Sequence, residues 1–122
     1  MESVRSQPND FIGIILYTML EQRTSENPDY PPFHTWKMNV VLATDYYPLT
    51  LIFDNGLEFR KGDLQEPDIR IGFQFNTLLE LVQGKKTLLG AILGKAVKIE
   101  GLLQHPTDVY RLYKLIRYII EE

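Results

Sequence analysis

Few residues of this sequence are of the types that carry catalysis, and those few are scattered. Its two histidines, His34 and His105, each lie in a polar segment close to prolines, so neither is expected to bind a metal or to act as a base. Four aspartates fall in predicted turns: Asp45, Asp54, Asp63 and Asp68. Aspartate is favoured in turns because it hydrogen-bonds nearby backbone groups, so no catalytic pair of carboxylates is assigned.

Other kinds of reactive site are missing from the sequence. It contains no cysteine, which excludes disulfides and thiolate metal sites and is typical of a reducing compartment. It has neither a phosphate-binding glycine loop nor the nucleophile elbow of a hydrolase. We therefore predict that the protein is not an enzyme and that it has no catalytic residue, no metal and no cofactor.

The residues that do stand out are apolar, and they could bind an apolar molecule. Two short predicted helices carry aliphatic side chains nearly all round their axes: Leu78, Leu79, Leu81, Val82, Leu88, Leu89, Ile92 and Leu93. Such a helix must be covered by protein on every side or must face an apolar guest. The pattern alone leaves both interpretations open, because an amino-terminal helix could supply the cover.

A gap between these helices and a sheet would favour the guest. An empty void of about 400 Å³ would cost on the order of 10 kcal/mol, which is comparable to the whole stability of a domain. A void of that size collapses or is filled. A fatty chain gains roughly 0.8 kcal/mol for each methylene that it buries, so a lipid is a sufficient filling.

The two helices lie between predicted strands. Residues 69–75 alternate between apolar and polar side chains, which predicts a strand with one buried face, and residues 97–99 begin the same pattern again. Asn76 or Thr77 is predicted to cap the first helix, with Glu80 completing a capping box.

Glycines separate and end these helices. Gly84 and Gly94 are predicted to terminate them. Gly90 lies inside the second helix, where glycine costs about 1 kcal/mol relative to alanine. It predicts either a hinge that lets the helix move to admit a guest or a close crossing with another helix.

The first third of the chain is predicted to contain one helix between two irregular segments. Residues 1–10 are polar and form a loose terminus, although Asn9 or Asp10 can cap the helix over residues 11–22. Residues 23–33 form a proline-containing linker, because each proline removes a backbone donor.

The remaining elements complete an α+β domain in the order α-β-β-β-β-α-α-β-α. Three strands follow one another in a meander, with a hairpin turn at Asp54-Asn55-Gly56, and a helix over about residues 106–120 closes the chain. A run of strands with the helices to one side predicts a five-stranded, mostly antiparallel sheet that helices cover on one face.

Length and charge limit the remaining possibilities. A chain of 122 residues is long enough to bury one core but not two, so residues 1–122 are predicted to form a single domain. The net charge of -3 gives no basic field for nucleic acid. The longest apolar run, residues 11–17, is too short to cross a bilayer. We expect a cytoplasmic protein.

Residues 68–101 resemble the most characteristic half of the sterol carrier protein-2 domain. The likeness lies in Asp68-Ile69-Arg70-Ile71, Gln83-Gly84-Lys85, Gly94-Lys95 and Val97-Lys98-Ile99-Glu100-Gly101, and it extends over about residues 35–120. The family usually has Gly-Asp-x-x-x-Ala where the last helix begins, whereas here Gly101 is followed by Leu102-Leu103-Gln104-His105-Pro106. The chain is similar to a stand-alone, prokaryotic-type member of that family.

The resemblance implies a sheet and helices that enclose an apolar tunnel. The function implied is non-enzymatic binding and carriage of a fatty acyl chain, a sterol-like molecule or an isoprenoid lipid. The alternative is an accessory module that presents a hydrophobic intermediate to a partner enzyme, as in quinone biosynthesis. The residues predicted to line the tunnel are Phe73, Phe75, Leu81, Val82, Leu88, Leu89, Ile92, Leu93, Leu112 and Ile116.

The expected partner is thus a lipid or another apolar small molecule, and no nucleic acid. Arg111, Lys114 and Arg117 share one face of the last helix. They predict a solvated face or, as the alternative, a transient contact with anionic membrane headgroups or an acidic protein. The sequence names neither the lipid nor the oligomeric state, and a dimer is compatible with it.

Overall fold

The computed structural model describes residues 4–26 and 35–120. In chain order its elements are β1 (Val4–Ser6), α1 (Phe11–Glu26), β2 (Lys37–Ala43), β3 (Pro48–Asp54), β4 (Leu57–Lys61), β5 (Ile69–Phe73), α2 (Phe75–Val82), α3 (Leu88–Leu93), β6 (Val97–Glu100) and α4 (Pro106–Ile119). The strands of the described residues form one sheet in the order β1-β4-β3-β2-β5-β6. The predicted α+β class is confirmed, and β2 to β6 are the five predicted strands.

The sheet is mostly antiparallel, as predicted. β3 pairs antiparallel with both β2 and β4, and β6 pairs antiparallel with β5. β2 and β5, which are neighbours in the middle of the sheet, run parallel. The hairpin between β3 and β4 is the predicted one, since Asn55 and Gly56 have φ angles of 56° and 122°, which two-residue turns of this kind require.

The amino-terminal region differs from the prediction in two ways. Residues 4–6 of the supposedly loose terminus form β1, which pairs with β4 and so occupies what would otherwise be the open edge of the sheet. α1 continues to Glu26 instead of ending near residue 22, because no proline or glycine lies between Gln22 and Pro28. Residues 27–33 of the predicted linker lie outside the described residues, as does His34.

Asp10 caps α1, which confirms one of the two predicted caps. Its Oδ2 accepts a hydrogen bond from the Gly13 amide at 2.7 Å. The Tyr47 hydroxyl, from the turn between β2 and β3, donates to the same carboxylate and accepts from the Ile12 amide at 2.6 Å. Burial and, after it, the hydrogen bond to Asp10 raise the pKa of Tyr47. The start of α1 is thereby tied to the sheet.

The capping box predicted for α2 is wrong. The helix begins at Phe75, and the residue before it provides no side-chain cap. Instead the Asp45 carboxylate reaches across from the turn between β2 and β3, where its Oδ1 accepts from the Phe75 amide at 2.7 Å. Glu80 pairs with Lys86 at 3.4 Å. A long-range cap therefore replaces the local one, and this makes Phe75 helical rather than the end of a strand.

Thr87 caps α3 and explains the glycine inside that helix. Its Oγ1 accepts from the Gly90 amide at 3.0 Å, and a Cβ atom on Gly90 would lie 2.8 Å from this oxygen. Among the described residues, no atom of another helix lies within 4 Å of that position, so the predicted close crossing is wrong. The predicted ends hold, because Gly84 adopts a φ of +75° directly after α2 and Gly94 is the carboxyl cap of α3.

The sheet has two differently covered faces. Alternate apolar residues of β2 to β6 form one buried cluster with residues of α1 to α4, so the helices cover this inner face. β4 and β5 run in the same direction but are separated by β3 and β2, so residues 62–68 cross the outer face. The Thr50 hydroxyl donates to the Gly62 carbonyl at 2.8 Å, and the crossing leaves Thr50 and Val41 almost fully buried.

Candidate functional site

An apolar cavity lies between the inner face of the sheet and the helices. Its lining consists entirely of hydrocarbon and aromatic side chains. The strands contribute Leu42, Leu51, Leu57, Phe59, Ile71, Phe73 and Val97. The helices contribute Leu16, Leu20, Leu78, Leu81, Leu88, Leu112, Leu115, Ile116 and Ile119. An apolar pocket of this composition attracts molecules by burial and offers them no hydrogen bond.

The volume of this cavity is much smaller than the void of about 400 Å³ considered from the sequence. The room for water-sized molecules is about 70 Å³, within about 710 Å³ of atom-free space once the open mouth is counted. At roughly 24 cal/mol for each Å³, an empty cavity of that size costs about 1.7 kcal/mol. A domain tolerates this cost, so the empty volume by itself does not require a guest. An alkyl tail could enter only if the walls moved apart.

A second, smaller void of about 10 Å³ lies beside the first. The two share several walls, among them Ile71, Leu88 and Val97, and Ile92 and Tyr113 line only the smaller one. Ten cubic ångströms is about one water-sized sphere. Separation of the shared walls would therefore merge two adjacent apolar spaces into one longer one.

Six of the ten predicted tunnel residues lie at these voids. Phe73, Leu81, Leu88, Leu112 and Ile116 line the larger cavity. Ile92 lines the smaller one, together with Leu88, Leu112 and Ile116. The structure thus brings residues of β5, α2, α3 and α4 to one place. That they contact a ligand there stays a prediction.

The other four predicted tunnel residues lie elsewhere. Phe75 is buried, but it packs in an aromatic cluster with Tyr46 and Phe11, with ring centroids 4.9 and 5.4 Å away. The remaining three are exposed to solvent by 41%, 52% and 75%: Val82, Leu89 and Leu93. Each short helix presents one face to the sheet, so aliphatic residues on its opposite face cannot reach the cavity.

The prediction missed the contribution of the first helix and of the central strands. Leu16 and Leu20 of α1 form part of the cavity wall, as do Leu42, Leu51 and Phe59 of the sheet. Their period-2 and helical spacing is typical of side chains packed in a core. Nothing in a single sequence separates an apolar residue that faces a void from one that faces another side chain.

The polar candidates of the sequence lie away from the cavity. His105 precedes α4, where its Nε2 is 3.7 Å from Asp68 Oδ1 and its Nδ1 is 3.9 Å from Asp108 Oδ2. Asp68 also accepts from the Asn39 amide at 2.9 Å, and Asp63 binds Arg70 at 3.0 Å. These carboxylates hold turns and the crossing segment in place. Within residues 4–26 and 35–120, no group of acidic and histidine side chains could hold a metal ion.

The basic residues of α4 point away from the cavity as well. Arg111, Lys114 and Arg117 are exposed, and two of them stack on neighbouring rings. Lys114 Nζ lies 5.4 Å from the centre of the Tyr110 ring, and Arg117 Cζ lies 5.6 Å from that of Tyr113. None of the described helices is long and apolar enough to span a membrane.

Fold and cavity together define an α+β domain in which helices and one face of a sheet enclose an apolar space. The same fold occurs in the sterol carrier protein domain 2 of Helicoverpa armigera, with a TM-score of 0.65, 14% identity, and 96% of this chain and 94% of that one covered. It occurs in a UbiJ-SCP2 ubiquinone synthesis protein, with a TM-score of 0.60, 12% identity, and 90% and 99% covered. The chain has the sterol carrier protein-2 fold, as the resemblance implied.

A larger enzyme contains a similar fold. The inverting sec-alkylsulfatase Pisa1 from Pseudomonas sp. matches 64% of this chain with 22% identity and a TM-score of 0.51, but the match spans only 12% of the enzyme's own length. No protein-family model matches the sequence. No curated protein matches it either.

Proposed function

We propose that the protein binds a molecule with an apolar tail in this cavity and carries it, without changing it chemically. The observation that supports this most strongly is a lining of sixteen apolar side chains with no polar one among them. Such a lining can hold an alkyl or isoprenoid tail but offers no group for proton transfer, nucleophilic attack or metal binding.

Binding requires the cavity to widen, and the burial of a tail can supply the energy. Ten methylenes that leave water gain on the order of 8 kcal/mol at roughly 0.8 kcal/mol each. Association and ordering cost at least about 4 kcal/mol, and wall separation adds to this cost. The net affinity is moderate, which suits a carrier that must also release its ligand.

The walls that must move are those at the margin of the cavity. Leu16, Phe73, Ile116 and Ile119 line it but remain half-buried, so they lie where the cavity approaches the surface. Phe73 belongs to the sheet, whereas the other three belong to α1 and α4. The start of α1 is tied to the sheet, so we expect α4 and the later turns of α1 to move, which opens the cavity without breaking the strand pairing.

A pair of arginine variants tests the site. Ile116→Arg places a charge at the wall that the two voids share, and it should abolish the uptake of a fluorescent fatty acid because a charge is costly in an apolar space. Leu89→Arg makes the same substitution at an exposed residue of α3 and should leave uptake unchanged. Far-ultraviolet circular dichroism checks that both variants fold. Equal uptake by Ile116→Arg and the unchanged protein would contradict the proposal.

A second candidate function is that of an accessory module that presents a hydrophobic intermediate to a partner enzyme. Two observations favour it: the cavity is small when empty, and the fold matches nearly the whole of a UbiJ-SCP2 ubiquinone synthesis protein. On this hypothesis the protein is recovered without a lipid and takes one up only when its partner is present. Measured uptake by the protein alone separates the two functions.

A further inference from the structure

A polar groove lies beside the apolar cavity, where β5 ends and β6 begins. It has a volume of about 620 Å³ and is lined by residues of α2, of both strands and of the segments that flank α3. Its charged side chains are Lys86, Lys95, Lys98 and Glu80. We refer to it as the lysine groove.

The lysine groove and the cavity have one wall in common. Phe73, the last residue of β5, lines both. It is half-buried, so it borders the apolar interior and also reaches the surface. A tail that leaves the cavity past Phe73 therefore brings its polar end directly into the groove.

The charge of the groove is opposite to that of the protein. Lys86 Nζ lies 3.4 Å from Glu80 Oε1, which leaves the two exposed ammonium groups of Lys95 and Lys98 as the surplus charge of the lining. The chain as a whole carries a net charge of -3, so this positive surplus is local. Lys95 adopts a left-handed backbone conformation, with a φ of 65°.

We propose that the lysine groove receives the negatively charged head, a carboxylate or a phosphate, of an amphiphile whose tail fills the apolar cavity. This inference rests on the proposed binding of an apolar tail and adds a selection for charge. Because these lysines are exposed, each contact is weak, and the two surplus ammonium groups of Lys95 and Lys98 together should favour an anionic head about fivefold over a neutral one at low salt. The preference should fall as salt is added.

Three ligands with one tail and different heads test the inference: dodecanoate, dodecyl phosphate and dodecanol. Their affinities for the full chain are measured by isothermal titration calorimetry below the concentration at which each aggregates. The groove variant replaces Lys95 and Lys98 by glutamine and keeps the pair of Lys86 with Glu80. The control variant replaces two basic residues of α4 by glutamine, which changes the net charge equally: Lys114 and Arg117.

The expected result is a preference of about fivefold or more for one or both anionic ligands in the unchanged protein and in the control. In the groove variant the affinities for all three ligands should agree within about twofold, with dodecanol binding unaltered, since an exposed charge contributes little to a neutral ligand. A preference for the phosphate over the carboxylate would identify the head.

Two results would overturn the inference while leaving the proposed function intact. One is equal binding of dodecanol and both anions by the unchanged protein. The other is an anion preference that the groove variant retains, or one that the control variant loses as completely as the groove variant does. If no ligand binds the unchanged protein, including dodecanol, the proposed function fails and the charge selection fails with it.

Discussion

Replacement of Tyr47 by phenylalanine should loosen the attachment of α1 to the sheet. The Tyr47 hydroxyl donates to the Asp10 carboxylate and accepts from the Ile12 amide at 2.6 Å. Asp10 is 7% exposed, so its carboxylate has little water to replace a lost partner. Since α1 supplies Leu16 and Leu20 to the cavity wall, this attachment also fixes one side of the proposed ligand site.

The size of the effect follows from these two hydrogen bonds. A bond to a charged group contributes about 1.5 to 3 kcal/mol, and a buried group left without its partner costs about 1 to 3 kcal/mol. Both figures describe the same lost bonds, so they are not added in full. We expect the free energy of unfolding to fall by about 2 to 4 kcal/mol, which lowers Tm by roughly 8 to 16 °C for a chain of this size.

The neighbouring tyrosine provides the control. Tyr46 is 60% exposed and stacks on Phe75, and Tyr46→Phe keeps that ring while it removes the same oxygen. It should change the free energy of unfolding by less than about 0.5 kcal/mol. Urea unfolding followed by circular dichroism measures both variants. If the two substitutions have equal effects, or if Tyr47→Phe has none, the junction does not hold α1 as described.

Two further predictions concern the same junction. In the folded protein the pKa of Tyr47 is raised, first by burial and then by the hydrogen bond to Asp10. The contribution of Tyr47 to the free energy of unfolding is therefore complete below its unfolded pKa of about 10, and it is lost as the pH rises through the higher folded pKa. The difference in free energy of unfolding between the unchanged protein and Tyr47→Phe should be constant from pH 7 to 9, because this range lies below the unfolded pKa of about 10. The difference should shrink at higher pH. A difference that instead shrinks as the pH falls from 9 to 7 would contradict the assignment. Gly13→Ala should destabilise the fold by about 1 to 3 kcal/mol, because a Cβ atom there would lie 2.4 Å from Asp10 Oδ1 and 2.8 Å from Pro8 Cβ; thermal unfolding measures this, and an unchanged Tm would show that the cap can shift at no cost.

The strands could be predicted from the sequence because their signals are local. Alternation in residues 69–73 and the Asn55-Gly56 turn each specify a strand or a hairpin without reference to the rest of the fold. The resemblance then implied that helices cover one face of the sheet and enclose an apolar tunnel. β2 and β5 are distant in sequence, and no residue pattern in either strand predicts that they pair in parallel.

The errors came from partners distant in sequence. Thr77 and Glu80 have the spacing of a capping box, but Asp45, thirty positions before Phe75, provides the cap instead. The Asp45 carboxylate belongs to the turn between β2 and β3, so the cap depends on tertiary structure and not on the local sequence. β1 is a second case, because its formation depends on the open edge of β4 and not on its own three residues.

The candidate site was half predictable. An apolar stripe identifies which segments are buried, so Leu81, Leu88 and Leu112 were assigned correctly to the interior. Leu89 and Leu93 are equally apolar and are nevertheless exposed, because a helix of six residues has only one face against the sheet. The packing of all neighbouring elements together decides which side chains border a cavity.

The central claim is that the interior of this fold takes in a guest molecule. Native mass spectrometry of the full chain, freshly purified and then mixed with dodecanoate, tests it most directly. The account predicts an adduct of one lipid mass on the unchanged protein and on Leu89→Arg, and none on Ile116→Arg. A single unliganded mass in all three samples, or an adduct that Ile116→Arg retains in full, would contradict it.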